Sequence, residues 1–240
     1  MLKDKRILAV IPARGGSKRL KNKNLLFLSH KPLIAWTMQA AQESFYIDEI
    51  IVSTDSKEIA KEANRFGLKT PFVRPSELSG DEARTIDVVR HAIQWLKEHE
   101  GKSFDYVVLL QPTSPLRNAK HIDSALLQLH NQGADAVVSV CENEHSPLWS
   151  NVLPDNKSLK NFLKSEYINS RSQDLAQFYR LNGAIYICDV SRLLREDTFF
   201  IKDNIYAYIM EQIDSVDIDT KLDFLLAETI LKYKENENAK

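Results

Sequence analysis

The chain carries two short, almost unbroken apolar runs, Ile7-Leu8-Ala9-Val10-Ile11 and Tyr106-Val107-Val108-Leu109-Leu110. They constrain the fold more than any other feature. A strand with one wet face alternates apolar and polar residues, whereas a run without alternation is a strand covered on both faces. The spacing predicts strands at 6–12, 49–54, 104–111 and 135–141. Between them, helical patterns fall at 33–44, 57–66, 85–99 and 119–132. In the third of these, Ile86, Val89, Ile93 and Leu96 recur at helical spacing and give one apolar stripe to set against a sheet. Asp55 or Ser56, and Asn118, are suited to cap the helices they precede. Strand and helix in alternation imply an α/β fold, a mostly parallel sheet with right-handed crossovers.

The rhythm breaks after Cys141. Residues 142–180 are polar, with Pro147, Pro154 and many Asn and Ser, and such a stretch in a compact domain is expected to be an insertion with a task, an arm packing on another subunit. Strand character resumes at 183–188, and further short strands are expected at 206–210 and 215–218. A last helix begins near Thr220, with Thr220 and Asp223 spaced as a capping box, and is expected to bury Leu222, Leu225, Leu226 and Ile230. The core is thus 1–141 plus 183–240, with 142–182 inserted.

Composition excludes some classes. Thirty-two Lys and Arg against 33 Asp and Glu give a net charge of -1, which is not that of a bulk nucleic-acid binder. Cys141 and Cys188 form no metal-binding C-x-x-C pair and read as buried strand residues. The apolar runs are too short to span a bilayer, and the few residues before the first strand leave no room for a signal peptide. A cytoplasmic protein without membrane or nucleic-acid partners is expected.

The charges are segregated. Residues 5–42 hold eight cations and no carboxylate, while 211–228 hold six carboxylates and one lysine. The first strand ends in Pro12-Ala13-Arg14-Gly15-Gly16-Ser17-Lys18-Arg19-Leu20-Lys21-Asn22-Lys23-Asn24. Ligands of open α/β sheets bind beyond the carboxyl ends of strands, and paired glycines let amides approach phosphate oxygens. Neither G-x-x-x-x-G-K-[ST] nor G-x-G-x-x-G is present, so phosphate binding competes here with a solvated basic loop. In Asp217-Ile218-Asp219 the two carboxylates share one face of an extended segment and call for a divalent cation. The alternative is an exposed Asp217 with Asp219 capping the last helix. Gln111-Pro112-Thr113-Ser114-Pro115-Leu116-Arg117 puts a hydrogen-bonding Gln at the end of a buried strand. Tyr179-Arg180-Leu181-Asn182-Gly183-Ala184-Ile185-Tyr186 enters another strand through a polar cluster.

Together these blocks resemble the CMP-sialic acid synthetases (N-acylneuraminate cytidylyltransferases). Ala13-Arg14-Gly15-Gly16-Ser17-Lys18, Lys23-Asn24-Leu25, Ile51-Val52-Ser53-Thr54-Asp55, Arg74-Pro75, the 111–117 block, Asn182-Gly183-Ala184-Ile185-Tyr186 and Asp217-Ile218-Asp219 occur in the family's order along nearly the whole chain. The resemblance implies a nucleotidyltransferase-type (Rossmann-like) fold and a homodimer whose inserted dimerisation arms reach over each other's active sites. It also implies a Mg²⁺-dependent reaction of CTP with a nonulosonic acid, giving the CMP-sugar and pyrophosphate. Arg14, Gly16, Ser17 and Lys18 would cradle the triphosphate, with Lys23, Asn24, Arg74 and Thr85 completing the CTP site. Gln111, Gln173, Tyr179 and Asn182 would face the sugar, Arg171 or Arg180 its carboxylate, and Asp217 and Asp219 the metal. Arg14 and Lys18 join those aspartates as the catalytic set.

Some residues depart from the pattern. Arg19-Leu20 stands where the family often has glycine and is similar to the CMP-Kdo synthetases. Ser172-Gln173-Asp174 occupies the place of Arg-Gln-Asp, Ala176 that of a proline, and Ala83 that of a hydroxyl residue. Legionaminate, pseudaminate and Kdo are therefore alternative acids. Sugar-1-phosphate nucleotidyltransfer or non-catalytic nucleotide binding are the readings further away.

Overall fold

The computed structural model describes residues 2–238. In chain order the elements are β1 (Ile7–Pro12), a small hairpin of β2 (Phe27–Leu28) and β3 (Lys31–Pro32), α1 (Leu33–Gln42), β4 (Glu49–Ser53), α2 (Lys57–Arg65), α3 (Thr85–Glu100) and β5 (Tyr106–Leu109). There follow α4 (Ala119–Asn131), β6 (Ala136–Glu142), β7 (Tyr179–Asp189), α5 (Val190–Glu196), β8 (Ile205–Ile209) and α6 (Lys221–Asn238). Six strands form one sheet in the order β4-β1-β5-β7-β6-β8, and only β7 runs antiparallel to its neighbours.

The first apolar run explains the layering. Ile7, Ala9 and Ile11 pack into a core with Ile34 and Met38 of α1, Ile59 and Ala63 of α2, and Ile122 and Leu126 of α4. Leu8 and Val10 point the other way, onto Val89, Ile93 and Leu96 of α3 and Leu193 of α5. Each such side chain contributes about 1.5–3 kcal/mol on burial, and β1 spends none of its face on water. Local signals also hold. The Ser56 hydroxyl accepts from the Ile59 amide to cap α2, and Asn118 caps α4 in a box with His121.

Several expectations need correction. The hairpin β2–β3 and helix α5 carried no readable pattern, being only two residues per strand and seven residues long. Residues 215–218 form no ladder strand, although Val216 and Ile218 are buried as alternation requires. In α6 the buried side is Phe224, Ala227 and Leu231, packed with Leu28, Leu33 and Leu116. Ile230 is partly buried there, while Leu222, Leu225 and Leu226 are exposed. The Thr220–Asp223 box forms, with the Asp223 carboxylate accepting from the Thr220 amide at 2.6 Å, and it fixes where the helix begins.

Strand β7 begins four residues earlier than expected, because Leu181, Arg180 and Tyr179 pair with Val140, Cys141 and Glu142. The insertion between β6 and β7 is thus rooted in a two-stranded ribbon. From 143 to 178 it holds only 3-10 turns, at Pro147–Trp149, Ser165–Tyr167 and Ser172–Asp174. Val152, Leu153, Leu159 and Ile168 stand exposed along it. Among the described residues, no helix is long and apolar enough to cross a membrane.

Candidate active site

A cleft of about 600 Å³ opens beyond the carboxyl ends of β1 and β5. The loop after β1 lines it with Arg14, Ser17, Lys18, Arg19, Lys23 and Asn24; the β5 end adds Gln111, Pro112 and Thr113. Arg74, Thr85, Asp217 and Asp219 complete the wall, so the two oppositely charged segments of the sequence do converge. Thr85 is the first residue of α3, whose N-terminal turn favours negative charge.

Arg74 is the most telling cation. Its side chain is buried, Nε and Nη2 have no hydrogen-bond partner, and the nearest carboxylate, Asp55, is 4.0 Å away. Burial lowers its pKa, so the folded protein carries a desolvated guanidinium whose donors await acceptors.

The glycine pair works differently from expectation. The Gly15 amide is spent on Asp55 Oδ1 at 2.9 Å, and a Cβ at Gly15 would lie 3.1 Å from that of Ser56. Gly15 is therefore required by the approach of the loop to the start of α2. Gly16 has open space around it and lines an adjoining cavity of about 470 Å³ shared with Arg14 and Asn24. Asn24 is buried and donates to the Arg14 carbonyl at 3.1 Å, which shapes the loop.

The acidic pair is unequal. Asp219, expected to share a divalent cation with Asp217, has Oδ1 held by Lys23 Nζ at 3.0 Å and Oδ2 by Arg19 at 2.9 Å. Lys23 also donates to the Ile218 carbonyl at 2.6 Å, tying the acidic segment to the basic loop. Among the described residues, no cation pairs with the Asp217 carboxylate. It is exposed on the cleft wall, and the surrounding protein pushes its pKa up against the opposing hydrogen bond from Thr113. Asp217 is thus the carboxylate of the cleft left without an ion pair among the described residues.

Beneath the cleft, β7 bulges. Its register against β6 shifts between Val138 and Val140, and Gly183 takes a left-handed φ of 73° there. A Cβ at Gly183 would lie 3.1 Å from Gln111 Oε1 and 3.5 Å from Asp217 Oδ2. Asn182, expected to face the sugar, is buried within the fold. It is 1% exposed, and its carboxamide is engaged by Ser139, Ala184 and Ser215. It holds the bulge in place of ladder bonds.

Arg117 had no assigned role. It is fully buried, donates to the carbonyls of Ala184 and Gln111 at 3.2 and 3.0 Å and to the Thr37 hydroxyl at 2.9 Å, and burial pushes its pKa down to about 9. It staples the β5 end to the bulge. Asp81, also unassigned, lies in the cleft and pairs with both Arg14 and Lys18. Tyr186 packs near Phe199 and the exposed Phe200, at ring separations of 5.8 and 6.3 Å, and feels the charge of Asp217. The adjacent aromatic pair was the one signal for that cluster.

Arg171, Gln173, Tyr179 and Arg180 do not line the cleft of their own chain. Arg171 is exposed and pairs with Asp174 at 2.8 Å, and Arg180 pairs with Glu144 at 3.0 Å. The Glu144 carboxylate raises the Arg180 pKa most, and Arg180 still lies near enough to Asp217 for that charge to help raise it.

A family model described as cytidylyltransferase matches residues 8–238. The chain belongs to the cytidylyltransferase family. This cytidylyltransferase is 38% identical to the CMP-N,N'-diacetyllegionaminic acid synthase of Legionella pneumophila, covering 96% of the chain and 98% of that protein. It is 37% identical to the N-acylneuraminate cytidylyltransferase of Escherichia coli over 97% of the chain, and spans only 54% of that longer protein. A pseudaminic acid cytidylyltransferase of Campylobacter jejuni is 34% identical, covering 94% of the chain and 96% of the relative. Among solved structures, a CMP:2-keto-3-deoxy-manno-octonic acid synthetase complexed with CTP shares the fold with a TM-score of 0.70 at 17% identity, covering 95% of the chain and 99% of its own. The 4-diphosphocytidyl-2C-methyl-D-erythritol synthase of Anaerococcus prevotii follows at 0.64 and 14%, with the same coverage.

In this cytidylyltransferase, Gly183→Ala is expected to cost about 1–2 kcal/mol of backbone strain, lowering Tm by roughly 2–8 °C. The added methyl would push Gln111 and Asp217 out of register, so kcat/KM should fall by about tenfold or more, since small misplacements of reacting groups are costly. Steady-state kinetics beside a thermal melt check this. A stability loss with unchanged kinetics would leave the close approach without functional meaning.

Proposed function

We propose that the protein couples CTP to a nine-carbon nonulosonic acid of the sialic type, giving the CMP-sugar and pyrophosphate. The observation that carries this reading is the meeting, in one cleft, of a buried guanidinium with two donors left without hydrogen bonds, Arg74 Nε and Nη2, and a carboxylate without an ion-pair partner among the described residues, Asp217. The first suits a nucleotide triphosphate and the second suits the cation that accompanies it. The names of the relatives support the acid class.

The anomeric hydroxyl of the acid attacks the α-phosphorus. A new P–O bond forms as the bond to pyrophosphate breaks, and the hydroxyl proton is lost. Such a step is mainly positioning and charge neutralisation. Arg14, Ser17, Lys18 and Arg74 bind the phosphates, and the N-terminal turn of α3 at Thr85 supports them. Gln111, set by Gly183 and Arg117, orients the acceptor. For Mg²⁺, the carboxylate of Asp217 with phosphate oxygens is the fitting hard-oxygen donor set. Asp219 joins that set only if Arg19 lets go of Oδ2. When bound, the ion would polarise the α-phosphoryl group and acidify the attacking hydroxyl.

The dimer belongs to the same proposal. Arg171 and Arg180 lie off their own cleft, and the arm exposes Val152, Leu153, Leu159 and Ile168. An arm seated on a partner would cover those apolar side chains and bring a guanidinium to the partner's acid. The deciding experiment is pyrophosphate release from CTP and Mg²⁺ with N-acetylneuraminate, N,N'-diacetyllegionaminate, pseudaminate and Kdo in parallel. Turnover with a nine-carbon acid is expected. Turnover with Kdo alone would reassign the acid and give weight to Arg19-Leu20. Silence across the panel would overturn the reading.

A further inference from the structure

Arg14 and Lys18 do not stand open to a triphosphate. Asp81 Oδ1 accepts from Arg14 Nη1 at 2.9 Å, and Asp81 Oδ2 pairs with the Lys18 ammonium. The described residues offer neither cation another carboxylate. A carboxylate whose oxygens are shared between a guanidinium and an ammonium occupies the place of two phosphate oxygens.

The setting of this contact differs from that of the other bridging aspartate in the cleft. Asp219 also joins two cations, but Lys23 there is only 12% exposed and bonded to backbone, so that bridge is part of the fold. Asp81 is 45% exposed, Lys18 77% and Arg14 35%. Asp81 lies between the 3-10 turn Ser76–Leu78 and the start of α3 at Thr85, on a connection without regular structure. Exposed pairs of this kind exchange at little cost. The two cations also hold the Asp81 carboxyl below its usual range, so it remains an anion at any pH where the enzyme would work.

We propose that Asp81 is an internal competitor for the triphosphate. It keeps Arg14 and Lys18 extended over the cleft in the empty enzyme, yields them when CTP enters, and takes them back as pyrophosphate departs. Asp81 thereby sets nucleotide affinity and favours product release. The inference rests on the cytidylyl-transfer reading, since it needs Arg14 and Lys18 to be phosphate ligands.

The test is calorimetric titration of wild type and Asp81→Asn with CTP and, separately, with inorganic pyrophosphate. The variant should bind both about three- to tenfold more tightly, the scale of two exposed ion pairs. That gain should shrink when salt is raised from about 0.05 to 0.5 M. Pyrophosphate should also inhibit the variant more strongly. Equal or weaker binding by the variant overturns the competitor role. So does a loss of turnover with unchanged affinity, which would make Asp81 part of the chemistry. Asp81→Ser is the second neutral variant should the first not fold. Wild type that binds neither CTP nor pyrophosphate would overturn the transferase reading instead.

Discussion

Asp217→Asn is expected to lower kcat on the order of 10²-fold or more while Tm at neutral pH holds or rises. The two effects have one cause. Asp217 is exposed to the cleft and has no ion-pair partner among the described residues, and the surrounding protein raises its pKa above the usual Asp value. A carboxyl whose folded pKa exceeds its unfolded one binds its proton more tightly in the folded state. The stability so contributed is present at low pH and is lost as pH rises through the folded pKa. At neutral pH the ionised Asp217 therefore costs the fold a little stability, reduced by its contact with solvent, and an isosteric amide removes that cost. The Thr113 hydroxyl can donate to either residue, so geometry is kept. Melting curves of both proteins should converge as pH falls below the raised folded pKa, where the wild-type group gains its proton. A lowered Tm with normal turnover would remove Asp217 from the reaction.

What the sequence discloses depends on how far a residue's partners lie along the chain. The apolar run of β1 is legible because covering both faces leaves a local mark, and the same holds for the Ser56 and Asn118 caps. Arg14, Lys18, Arg74, Gln111 and Asp217 are legible as members of motifs, and the structure gathers them in one cleft. In α6 the run from Leu222 to Leu231 offers two apolar stripes. Which one is buried is decided by Leu28, Leu33 and Leu116, far up the chain, so the pattern alone selects the wrong one. Asp81 is unreadable for a similar reason: its neighbours in sequence are ordinary, and its meaning comes from Arg14 and Lys18. The arm is the least legible part, because a segment that does not fold onto its own core leaves no periodicity from which to place Arg171 and Gln173.

Asn182 is the sharpest such case, and Asn182→Ala is expected to cost roughly 2–4 kcal/mol, a fall of about 4–16 °C in Tm. A polar residue before a glycine, beside a strand end, reads in sequence as a ligand contact. In the fold its Oδ1 accepts from Ser139 Oγ at 2.6 Å and the Ala184 amide at 3.2 Å, while Nδ2 donates to Ser215 Oγ at 2.9 Å. Removing the carboxamide takes the Ala184 amide's partner and one bond each from Ser139 and Ser215, which keep the Ile185 and Glu211 carbonyls, and a satisfied network loses more than any one bond in it. The loss reaches the chemistry indirectly. Ser139 positions the Ile185 amide at 2.8 Å, and Ser215 leads into the segment that carries Asp217. Both cytidylyl transfer and CTP binding should therefore weaken together, and lowering the temperature should restore part of each. A contact to the sugar would behave otherwise, raising KM for the acid alone with an unchanged Tm. Melting and two-substrate kinetics on one variant separate these outcomes, and the second would return Asn182 to the sugar site.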